Sequence, residues 1–115
     1  MDINTLVADA QAAAYDAADK FFQEKLGGRD QYACGFAWVE IFDHNGKKIR
    51  ANSKLGKAMI AAGLRKQDYG SKAWQLWNPS RYGCQNVDTL EAGADAAAQV
   101  FQAAGFAAYS CSRLD

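Results

Sequence analysis

The chain has 115 residues, half of them hydrophobic and 23% charged, with thirteen acidic and thirteen basic side chains and a formal net charge of zero. That length suits one domain over residues 1–115 with a modest core of its own, and the composition argues against disorder. No apolar run reaches the roughly 18–20 residues of a membrane span, and three cysteines without a CxxC pair argue against a zinc site or a dithiol redox motif.

The first predicted element is a long helix within residues 1–28. Ile3, Leu6, Val7, Ala10, Ala14, Ala18, Phe22 and Leu26 recur at spacings of three and four, which draws one buried stripe. Asp9, Asp16, Asp19 and Glu24 fall on the other side, and Gly27-Gly28 supplies the stop.

Residues 34–63 form the next predicted unit. CGFAWVEIF has the aromatic and β-branched content of a strand, and Phe36, Trp38 and Phe42 share one parity. DHNG reads as a hairpin turn, KKIRA as a returning edge strand anchored by Ile49, and Asn52 or Ser53 as the cap of a helix ending at Gly63. Residues 72–115 repeat the grammar. KAWQLW is a strand, NPSRYG a turn and CQNV a short return. DTLE then opens a helix as a capping box of Asp88 and Glu91, and FAAYSCSRL is a closing strand. The expected fold class is α+β: an N-terminal helix, two β-hairpin–helix units and a closing strand, with a mainly antiparallel sheet and helices on one face. Trp38 and Trp74 occupy equivalent places in the two units and are both expected in the core. Trp77 has the opposite strand parity from Trp74 and is expected outside it.

CGFAWVEI (34–41), GLRKQDYG (63–70), WQLW (74–77), EAGADAAAQVFQAAGFAAY (91–109) and SRLD (112–115) together carry a resemblance. They resemble a set of small proteins from phage and other mobile or bacterial genomes, which tend to read CGFAWV, YGG, IW, an alanine-rich helix and SRLD. No activity comes with that set, so no site residues transfer from it. SKAW (71–74) departs from it where a second glycine would stand. The resemblance implies a small accessory protein of phage type.

No catalytic constellation is visible. His44 is the only histidine and sits in a turn; no phosphate loop, HExxH or calcium-loop motif occurs; and the capping box accounts for Asp88 and Glu91. Neither metal nor cofactor is expected, and the chain is expected not to be an enzyme. The N-terminus lacks a basic start followed by an apolar core, so a cytoplasmic protein with reduced, buried thiols in a bacterial or phage-infected cell is expected.

Binding is the stronger expectation. Trp77, Asn78, Arg81, Tyr82, Gln85 and Arg113 combine an aromatic ring with amide and guanidinium groups, a set suited to a partner protein or a second copy of the chain. The structural alternative is a satellite cluster in which the first helix folds over Trp77. A competing reading starts from charge. Residues 44–72 hold eight bases against Asp68 alone, with acidic segments on either side. Lys47, Lys48, Arg50 and Lys54 could then hold a nucleic acid or nucleotide beside the exposed aromatic, unless those segments cancel their field.

Overall fold

The structure, a computed structural model, describes residues 2–30, 33–67, 70, 72–84 and 86–115. Helix α1 spans Ile3–Leu26; Asp2 caps it by accepting from the Asn4 amide, and Gly27 ends it at a φ of 63° that glycine adopts without strain. Strand β1 (Gly35–Phe42) follows, then α2 (Lys54–Ala61), β2 (Arg65–Lys66), β3 (Trp74–Trp77), α3 (Val87–Ala103) and β4 (Ala107–Leu114). The four strands form one open antiparallel sheet in the order β2-β3-β1-β4. The α+β class, the N-terminal helix and the closing strand stand as the sequence predicts.

The core lies between the sheet and the helices. Ala37, Val39, Ile41, Trp74, Leu76 and Ala108 point inward from the sheet, against Leu90, Ala94, Ala97 and Phe101 of α3. Helices α1 and α3 pack through small residues, Ala10, Ala14 and Ala18 on one and Gly93, Ala94, Ala97 and Ala98 on the other. Backbones approach closely there because nothing larger than a methyl group separates them.

Four local expectations are corrected. The KKIRA segment is no strand: Asp43 N still closes the turn onto Lys47 O at 2.8 Å, but residues 47–50 run as a loop. Its single apolar side chain explains this, since Ile49 is pulled into the core and its carbonyl accepts the Trp74 indole N–H at 2.8 Å. Both edges of β1 are taken by β3 and β4 instead. The return arm CQNV is likewise no strand: Asn86 makes one isolated bridge with Cys34, Val87 already opens α3, and Gln85 lies outside the described residues. The hairpin that does form joins β2 to β3.

The cap of α3 is Asn86, not Asp88. Its side chain accepts from the Thr89 amide at 2.8 Å while its own amides donate to Asp30. The helix thus begins one residue before Asp88, and no capping box forms: Glu91 accepts from Ser112 Oγ. In the first unit Ser53 is the cap, accepting from Gly56 N.

Trp38 is the fourth correction. Trp74 is fully buried, but Trp38 lies on the opposite face of the sheet and is only partly covered. The two tryptophans are therefore not equivalent, and the internal repeat reduces to two strand–loop–helix units.

Candidate functional site

The face of the sheet turned away from the helices is an aromatic surface. Along β1 the even positions Phe36, Trp38, Glu40 and Phe42 point to this side while the odd positions are buried. Register sets Trp77 of β3 opposite Trp38, and Tyr109, Cys111 and Arg113 of β4 opposite Glu40, Trp38 and Phe36. Trp38 and Trp77 stack at 5.3 Å between centroids with planes 17° apart, and Phe36 tilts against Trp77 at 5.7 Å. The Arg113 guanidinium lies 5.5 Å over the Phe36 ring, a cation–π contact. Phe42 and Tyr109 form an edge contact further along.

This row leaves much apolar area in solvent. Trp77 is 45% exposed and Tyr109 55%. The polar groups of the face are few: Trp38 Nε1 donates to Glu40 Oε2 at 3.2 Å, and Gln67 Nε2 reaches the same oxygen. A shallow depression of about 490 Å³ is lined by Trp38, Glu40, Gln67, Gln75, Trp77 and Arg113. Beside it, at the start of β1, Phe36, Ala37, Trp77, Asn78, Cys34, Cys84 and Leu90 line a second hollow of about 300 Å³. Asn78 turns the chain there with a φ of 43°, and its buried Oδ1 has no hydrogen-bond partner.

The predicted set divides. Trp77, Asn78 and Arg113 come together around these two hollows. Arg81 is exposed beyond them in the turn, at a φ of 52°. Tyr82 leaves the set: its hydroxyl donates to Asp19 Oδ1 at 2.6 Å and its ring packs on Tyr15 and Phe22 of α1. That contact holds the Tyr82 phenol above its usual pKa, chiefly through the Asp19 bond. Gln85 lies outside the described residues. Helix α1 packs over Tyr82 and not over Trp77, which is 45% exposed, so the alternative in which the first helix folds over Trp77 does not form. Phe36, Trp38 and Glu40 were missed. One signal was present: Glu40 shares the parity of Trp38, whereas Ala37, Val39 and Ile41 are uniformly apolar, which marks the even positions as the wet side.

Lys47, Lys48, Arg50 and Lys54 are all exposed, and they follow the far end of β1. Four strand positions separate Trp38 from Phe42, roughly 13 Å at about 3.3 Å per residue. The basic loop and the tryptophan pair therefore do not share one pocket.

No disulfide joins the three cysteines, and Cys34 is exposed, against the expectation of burial. Burial first, then the neighbouring Glu40, pushes the Cys111 thiol up to about 11; burial and Asp30 raise Cys84. His44 sits in the turn after β1 while Cys34 precedes that strand, an intervening length of roughly 26 Å. That geometry keeps Cys34 and His44 from acting as a nucleophile–base pair. Among the described residues no group of three or more His, Cys, Asp or Glu side chains could hold a metal ion, and no helix is long and apolar enough to cross a membrane. No family model, curated protein or solved structure matches the chain.

Proposed function

We propose that the chain is a small non-enzymatic accessory protein that binds a partner protein through the helix-free face of its sheet, with Trp77 as the anchor. The observation that carries this reading is the exposed row Arg113–Phe36–Trp77–Trp38. Large amphipathic rings held rigid by their neighbours lose little freedom on binding, which is the character of an interface hot spot. An apolar patch of this kind on one face of a small protein is a surface awaiting cover.

A nucleic-acid reading has less behind it. Base stacking uses a free ring face, and the stacking partner of Trp77 is already Trp38. The exposed lysines that would neutralise phosphates stand beyond the other end of β1.

Site-specific photo-crosslinking tests the proposal. A benzoylphenylalanine in place of Trp77 is expected to give a discrete protein adduct in host cells, while the same probe at Tyr15, 49% exposed on α1, gives none. An adduct of twice the chain's own mass identifies the partner as a second copy. Equal labelling from both positions, or an adduct removed by nuclease, overturns the reading.

A further inference from the structure

The outer edge of β4 offers a second and separate surface. The sheet order leaves β4 last, and its eight residues pair with β1 on one side only. Asp115 N donates to Cys34 O at 3.1 Å, in register with that ladder. An antiparallel pair exchanges both bonds at alternate residues, so the odd positions of β4 bond β1 and the even positions turn their amides and carbonyls outward. Gln102 Nε2 already donates to one of these, Ala108 O, at 2.8 Å. Ser110 and Ser112 are exposed, and their backbone groups are left facing solvent.

Beneath this edge runs α3, whose charged residues are Asp88, Glu91 and Asp95, with no base among them. Ser112 Oγ donates to Glu91 at 2.8 Å and Ser110 Oγ to Asp95, so two carboxylates stand directly against the open ladder. The base of β4, Arg113, lies on the other face, over Phe36. A groove of about 380 Å³ follows the edge, lined by Asp95, Gln99, Gln102, Tyr109 and Ser110.

We propose that this edge takes up an extended basic segment of a partner protein by strand addition. The incoming backbone completes the bonds offered at Ser110 and Ser112, and its cationic side chains on the helix side meet Glu91 and Asp95. Charge selects the occupant. A second copy presenting its own β4 about a two-fold axis at Cys111 would set Glu91 and Asp95 of each chain against the same acids of the other. Charges so placed guard an edge against self-pairing. The Trp77 face takes no part, so a failure here leaves the reading above standing.

Fluorescence anisotropy with a labelled peptide alternating lysine and valine is the test, with the glutamate–valine peptide beside it. The lysine peptide is expected to bind and the glutamate peptide not. Glu91→Gln with Asp95→Asn should weaken binding by about fivefold or more, two charge contacts being lost. Ser112→Pro removes an outward N–H and no bond to β1, so the fold should survive, as circular dichroism will check, and binding should be abolished. N-methylation of alternate peptide amides, which leaves the protein untouched, should abolish it too. Absence of binding, equal binding of both peptides, or indifference to N-methylation overturns the proposal. So does a dimer in sedimentation that Ser112→Pro dissolves, for that would give the edge to a second copy.

Discussion

Cys111 shows how one position reports the chemistry of a whole face. Its thiol lies opposite Trp38 and beside Glu40, and both burial and the carboxylate disfavour the thiolate. A thiol whose pKa is raised on folding binds its proton more tightly in the folded state. Its stabilisation is therefore complete below the unfolded pKa, near 9, and is lost as the pH climbs through about 11. Denaturant titrations from pH 8 to 11 should show stability falling over that window, and Cys111→Ser should flatten the fall. The same placement could be read in part from the sequence. Alternation correctly separates Phe36, Trp38, Glu40 and Phe42 from Ala37, Val39 and Ile41. Size suggests the wrong set as the core, because Trp74 and Phe101 already fill the inner volume and leave room only for smaller side chains beneath them. Which strand supplies that bulk is a tertiary fact, invisible in the alternation itself.

Among the elements, helices were the most legible and loops the least. The stripe of α1 and the glycine after it are local signals. The departure of KKIRA from a strand is decided by Trp74, some 25 residues away, whose indole N–H takes the Ile49 carbonyl. The α1–α3 contact gives a sharper expectation. A methyl group on Gly93 would stand 2.7 Å from Ser80 Cβ and 3.1 Å from Ala14 O, inside ordinary contact distance on both sides. Alanine is the better helix former, yet Gly93→Ala should destabilise the protein by about 1–3 kcal/mol, since the turn at Ser80 must shift and α1 must give slightly at Ala14 to admit it. Thermal unfolding measures this; a neutral or stabilising substitution would show that α3 is not closely packed against Ser80 and α1 at this position.

For the molecule as a whole, the two faces of the sheet should respond differently to loss of the same side chain. Trp74→Ala empties a site with no solvent exposure and breaks the bond to Ile49, for an expected loss of about 3–5 kcal/mol. Trp77→Ala removes a ring that is 45% exposed, and the loss should be about 1 kcal/mol or less. Chemical denaturation of the two variants checks the asymmetry; equal losses would mean that the outer row holds the fold together and is not free for binding. The register of β1 with β4 also bears on how the protein is made. Each residue of β1 meets a partner 65 to 79 positions further along the chain, from Phe42 with Ala107 to Gly35 with Leu114. At about 5–20 residues per second a ribosome needs roughly 3–16 s to supply those partners. Throughout that interval the nascent β1 carries Phe36, Trp38 and Phe42 with its β4 flank unzipped and without the completed α3 that covers its inner face, so its solubility during translation depends on holdase chaperones.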